Sequence, residues 1–139
     1  IPTPRLHAGV ILAESGYATS MIDISDGLSS DIGHICHQSN VGAEIEFDRL
    51  PRHHLLEKIP SITSTELERL LLHGGDCYEL LVTLKSDTPR HFIQSFGDES
   101  RVKLSRIGRI VHSDRGIKII DRHNKRRLLK PQGWNHFHD

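Results

Sequence analysis

With 139 residues, 36% of them hydrophobic and 26% charged, the chain has the composition of a folded domain with a real core, not of a disordered segment. Eighteen basic and eighteen acidic side chains leave no formal net charge, which argues against a nucleic-acid-binding module built on a broad basic face. The sequence holds no apolar stretch of about 18 residues, so no transmembrane helix and no membrane partner are expected. In chain order, "PRLHAGVILAESGY" reads as a helix. Pro4 suits its first turn, Leu6, Val10 and Ala13 repeat at helical spacing, and Gly16 is placed to end it. "ATSMIDI" is a short buried strand, and "GLSSDIGHICHQS" a second helix ending before the turn-like Ser39-Asn40. "GAEIEFDRLP" reads as a half-buried strand closed by Pro51, with Ile45 and Phe47 on its apolar side. Residues 52–63 are expected to be loop with a short helix. "TSTELERLLLHGG" is a helix capped by Thr63 or Ser64, with Leu67, Leu70 and Leu71 facing inward and Gly74-Gly75 as its stop. "CYELLVTL" is a strong strand, and "TPRHFIQSF" a short helix opening at its proline. "VKLSRIGRIV" and "GIKIID" read as two strands joined by the turn "HSDRG", and the tail "PQGWNHFHD" has no periodicity.

This order predicts an α/β (α+β) fold in which helices cover a mixed sheet, as one domain over residues 1–139. Cys36 and Cys77 are the only cysteines and suit reduced thiols in a cytoplasmic protein. No signal peptide is visible, and the lack of an initiator Met suggests that the chain begins partway through a gene product. The eleven histidines are scattered. His34 and His37, three apart on the second predicted helix, could share a metal or be ordinary surface imidazoles. The basic run Lys125-Arg126-Arg127 reads as a solvated turn.

Two acidic clusters stand out. In "DISDG", Asp23 and Ser25 alternate to one side of a strand end, Asp26 stands at the turn into a helix, and Gly27 lets the backbone approach a ligand. Hard oxygen ligands beside a helix start suit Mg²⁺ held together with a phosphate, although a capped helix with an aspartate-rich turn has the same spacing. In "HGGDCYELL", two glycines ahead of Asp76 permit a tight turn and close backbone approach; a helix C-cap followed by a polar strand start would read alike.

Together, "PTPR", "MIDISDGLSSDIGHI", "SNVGAEIEFDRLP", "GGDCYELL" and the closing "GWNHF" run through nearly the whole chain. In these pieces the sequence resembles the C-terminal domain of the thiamine-monophosphate kinase family, within the superfamily of aminoimidazole-ribonucleotide synthetase, selenophosphate synthetase and a hydrogenase maturation factor. The resemblance implies an aminoimidazole-ribonucleotide-synthetase-like C-terminal fold and transfer of the ATP γ-phosphoryl group to thiamine monophosphate, giving thiamine diphosphate. It also implies Asp23 and Asp26 as Mg²⁺ ligands, Ser25 as an ATP contact, and Asp76 and Trp134 as substrate contacts, Trp134 packing on the thiamine rings. No side chain is implied as a catalytic acid or base. A phosphate nucleophile is already ionised, so the work is metal-assisted positioning. The family's N-terminal domain, which carries further Mg²⁺ ligands, much of the ATP site and the dimer contact, has no counterpart among these residues. The expectation is therefore an enzyme that is a homodimer at full length and inactive as this chain alone. Asp76 and Cys77 stand where the family pattern has Glu and then Asp. That departure leaves a non-catalytic phospholigand-binding domain as an alternative, and a sibling ATP-dependent synthetase as a third reading.

Overall fold

The helix-forming stretch after Arg5 and the positive-φ residue Gly16 bound the first element, α1 (Leu6–Glu14), in a computed structural model that describes residues 3–131. There follow β1 (Ala18–Asp23), α2 (Leu28–Ser39), β2 (Val41–Glu46), α3 (Ser64–His73), β3 (Leu80–Leu84), α4 (Arg90–Ser100), β4 (Gly108–His112), β5 (Ile117–Ile120) and β6 (Arg126–Leu128). Single 3₁₀ turns cover Phe47–Arg49, Leu56–Lys58 and Ser113–Arg115. The fold is mixed α+β, as the alternation of periods implies.

The strands divide between two sheets. β1 and β3 form an antiparallel ribbon, and the other four strands lie in the order β4-β2-β5-β6. β2 runs antiparallel to β4 and parallel to β5. The turn "HSDRG" thus joins two strands that are not neighbours, because β2 lies between them. The ribbon separates two apolar clusters. Ala18, Leu80, Val82 and Leu84 pack with Ala8, Leu12 and Phe96 of α1 and α4. Ile22 and Leu81 pack instead with Leu28, Ile32 and Ile35 of α2, which in turn covers Ala43, Ile45 and Ile119 of the larger sheet.

Several predicted faces and limits are corrected. α1 buries Ala8 and Leu12, whereas Leu6 and Val10 are exposed; a helix apolar on every side gives no contrast by which to choose its inner face. On α3, Leu72 is buried and Leu70 exposed, because the inward face also carries Glu68, which reaches across to Arg127. Thr63 is the cap, accepting from the Glu66 N–H at 3.2 Å while its own N–H donates to Glu66 Oε2 at 2.8 Å. The second strand stops at Glu46, the strand beginning near Val102 is confined to Gly108–His112, and that beginning at Cys77 to Leu80–Leu84. The basic run is solvated as expected, but its Arg126 and Arg127 belong to the edge strand β6 and not to a turn. Asp121 turns the chain into it by accepting the N–H groups of His123 and Lys125, and Arg126 and Arg127 face Glu44 and Glu68.

Glu44 is the larger surprise, at 1% exposure. β2 is buried on both faces: Ala43 and Ile45 point into the core, and Glu44 lies under Arg109 and Arg115 on the other side. Arg109 donates to Oε2 at 2.9 and 2.7 Å, and Arg115 to Oε1 at 2.6 Å. These bonds and charges hold its carboxyl below the usual carboxylate range.

Candidate functional site

The two acidic loops meet. Asp76 N–H donates to the Ser25 carbonyl at 2.9 Å, Tyr78 N–H to the Ile24 carbonyl at 2.9 Å, and Ile24 N–H to the Glu79 carbonyl at 2.8 Å. The β1–β3 register, with Asp23 opposite Leu80, continues through these bonds into the loops. A side chain at Gly75 would place its Cβ 2.6 Å from the Ser25 carbonyl oxygen, so the close approach expected of the double glycine is real. Gly27 adopts φ +109, and a Cβ there would stand 3.0–3.1 Å from the His73 backbone at the end of α3. Gly75 is required by contact between the loops, and Gly27 by its positive φ and the end of α3 against it.

α2 starts without a side-chain cap, so Asp26 is not spent on capping. Asp31 in the first turn of α2 does a different task. It is 1% exposed, and the backbone N–H groups of Asp26 and Ser25 lie on its carboxylate's side, favouring the charged form. Its Oδ2 has no hydrogen-bond partner among the described residues. Burial, then the neighbouring Asp26 charge, pushes the Asp31 carboxyl above the usual range against the pull of the nearby backbone N–H groups and of His34. Ligand-capable atoms of half-buried Asp26, buried Asp31 and exposed His34 all lie within 4.8 Å of one another. His34 thus groups with two aspartates and not with His37. Asp31 escaped the sequence reading because one aspartate inside a helix looks like a surface charge; the available signal was the spacing D-x₄-D-x₂-H.

Asp23 is exposed and faces the other side of the ribbon. There it lines an open cleft of about 620 Å³ with Leu6, Val10, Met21, Tyr78 and Leu80. Arg5 donates to both carboxylate oxygens of Glu79 at 3.0 and 2.6 Å and so ties the start of α1 to the start of β3. The Tyr78 hydroxyl donates to Asp76 Oδ1 at 3.0 Å, and that bond, with the Asp76 and Asp23 charges, pushes the phenol up and keeps it protonated. Asp76 and Tyr78 both hold positive φ, +59 and +51, in a chain region that favours glycine. Partial burial of its sulfur and the charges of Glu79 and Asp76 push the Cys77 thiol up. Cys36 and Cys77 are both free thiols. Trp134 lies outside the described residues.

A family described as AIR synthase related protein, C-terminal domain, matches residues 2–121. The chain belongs to this family. Among its relatives, the thiamine-monophosphate kinase of Buchnera aphidicola subsp. Schizaphis graminum is 32% identical over 136 residues, 98% of this chain and 40% of that protein. The crystal structure of thiamine-monophosphate kinase from Stenotrophomonas maltophilia K279a superposes with a TM-score of 0.75 at 36% identity, covering 85% of this chain and 35% of that one. A structure of AaThiL complexed with AMPPCP and TMP superposes at 0.66 and 28% identity, covering 93% and 37%. The AIR synthase related chain therefore spans about two fifths of the length of the curated relatives it matches. No helix of its described residues is long and apolar enough to cross a membrane.

Proposed function

We propose that this chain is the C-terminal half of an ATP-dependent thiamine-monophosphate kinase, which converts ATP and thiamine monophosphate to ADP and thiamine diphosphate. The observation that carries the reading is the hydrogen-bonded union of the two acidic loops, Asp76 N–H on the Ser25 carbonyl and Tyr78 N–H on that of Ile24. It brings the residues assigned to metal and nucleotide next to the residue assigned to thiamine, and phosphoryl transfer requires both polyanions in line at one place. The relatives that cover the chain carry the kinase name, and one related structure is complexed with AMPPCP and TMP.

In this reading Asp23 and Asp26 each offer an oxygen ligand to Mg²⁺, Asp23 from the cleft side of the ribbon and Asp26, free of capping, from the turn into α2. Bound there, Mg²⁺ would offset the charge on the phosphates. Ser25 contacts ATP. Asp76, oriented by the Tyr78 hydroxyl, faces the thiamine moiety, and Trp134 offers its rings an apolar face. Asp31 lies beside the Ser25–Asp26 backbone against which the phosphates are placed. No strong base is needed, since the attacking phosphate oxygen is ionised at neutral pH. The remainder of the ATP site and the dimer contact belong to an upstream domain, and the protein works in the cytoplasm.

The test is ATP-dependent formation of thiamine diphosphate by the protein that carries this chain together with such a domain. Asp26→Asn should lower turnover by about 10² or more, since metal-held charge is a large share of phosphoryl-transfer catalysis. Unchanged turnover at saturating Mg²⁺ removes Asp26 from the site. Ligand binding without turnover supports a binding module, the reading favoured by Asp76 and Cys77 standing where the family pattern has Glu and Asp. Turnover only with another phosphate acceptor points to a sibling synthetase.

A further inference from the structure

The grouping of Asp26, Asp31 and His34 does not follow from the phosphate reading, which uses Asp26 together with Asp23. Two carboxylates and an imidazole with all three ligand-capable atoms within 4.8 Å make a compact mixed oxygen and nitrogen donor set. Asp31 and His34 are three apart on α2, so the helix itself holds them on adjacent turns of one face. Asp26 is brought in from the loop before the helix, within ligand distance of the Asp31 carboxylate. An independent observation shows that something is unmet here: Oδ2 of Asp31, in a residue 1% exposed, has no hydrogen-bond partner among the described residues. A buried carboxylate oxygen left so is costly, and a neighbouring aspartate adds repulsion instead of relief.

We propose that Asp26, Asp31 and His34 form a binding site for a divalent first-row transition ion of the Zn²⁺ or Mn²⁺ class. Mg²⁺ prefers oxygen ligands and keeps its waters, whereas an imidazole beside carboxylates suits the borderline ions. Three protein ligands leave at least one position open on such an ion. The positive end of α2 opposes a cation with about half an elementary charge, and two carboxylates outweigh it. Because Asp26 is shared, an ion held here draws that carboxylate away from the Asp23 side. The site goes beyond the kinase reading and stands without it, since ion binding is measured with neither nucleotide nor thiamine compound present.

The experiment is a calorimetric titration of the protein with ZnCl₂ alone, paired with visible spectra of the Co²⁺-loaded protein. One tight ion per chain is expected. His34→Ala and Asp31→Asn should each weaken it by about tenfold or more, and His34→Ala should shift the Co²⁺ band by removing a nitrogen ligand. His37→Ala should leave both readings unchanged. If Asp31→Asn does not fold, the exposed His34 decides alone. Equal Zn²⁺ affinity in the native protein and His34→Ala, or an equal loss from His37→Ala, overturns the proposal and reduces the binding to scattered surface histidines.

Discussion

Glu44 and Asp31 are both 1% exposed carboxylates, and their protonation is pushed in opposite directions. The difference lies in what each faces. Glu44 is met by Arg109, Arg115 and, at 3.8 Å, Arg126, while Asp31 has the like charge of Asp26 beside it. Glu44 is therefore ionised and stabilising, and its lowered pKa sets the sign of a pH effect. Its contribution is complete above the ordinary glutamate pKa of 4.5 and is lost as pH falls through the lower folded value. Glu44→Gln should cost about 2 kcal/mol at neutral pH, as charged hydrogen bonds to a buried group are lost, and should flatten the acid limb of a stability–pH curve. A wild-type acid limb in Glu44→Gln would show that the carboxylate is not paired in solution. Asp31→Asn reverses the expectation. In metal-free protein it removes a buried charge and its repulsion, so its melting temperature should equal or exceed that of the native chain. A pronounced drop in melting temperature would mean that the Ser25 and Asp26 N–H groups need a full negative charge.

At the scale of elements, the join between the two acidic loops should fail at its glycines. Gly75→Ala drives a methyl against the Ser25 carbonyl oxygen, and Gly27→Ala forces φ +109 on a residue with a Cβ. Each should lower stability by about 2 kcal/mol, and Gly75→Ala should also impair substrate binding in the complete enzyme. Melting curves matching wild type would show that the loops are not tied as described. Thr63→Ala removes one half of a capping box and should cost about 1 kcal/mol, read from denaturant midpoints at constant m-value. These elements also show what the sequence could and could not convey. A cap at Thr63 or Ser64, Gly27 and Gly75 were legible because caps and turns are set by local chemistry. The inner faces of α1 and α3 were not, since an apolar residue on every side of Leu6–Glu14 and three successive leucines at 70–72 leave rotation to tertiary packing. β6 was missed because an edge strand carrying Arg126 and Arg127 has no apolar alternation. The tight turn at 112–116 suggested neighbouring strands, and only the pairing of β2 with both β4 and β5 shows otherwise. Asp23, Ser25, Asp26 and Asp76 were candidates from their motifs; Asp31 was passed over although its spacing to Asp26 and His34 was there to read, and the contact of Tyr78 with Asp76 arises only from the folded loop.

Across the whole molecule, the ribbon β1–β3 divides the interior into two clusters of unequal size, the smaller built on Ala8, Leu12 and Phe96. Phe96 is 2% exposed, and Phe96→Ala should cost about 3 kcal/mol or more. Its effect on hydrogen exchange should be uneven: amides of α1 and α4 lose protection first, while those of α2 and β2 keep theirs. A uniform loss would show that the clusters open as one unit. The wedging of β2 between β4 and β5 has a consequence in time as well. At a synthesis rate of about 5–20 residues per second, β2 emerges seconds before either of its neighbours exists. During that interval Val41–Glu46 presents two unpaired edges, with Glu44 still without its arginines. The nascent chain is thus most prone to wrong pairing midway through its synthesis, and the arrival of β4 and β5, with Arg109 and Arg115 closing on Glu44, ends that exposure.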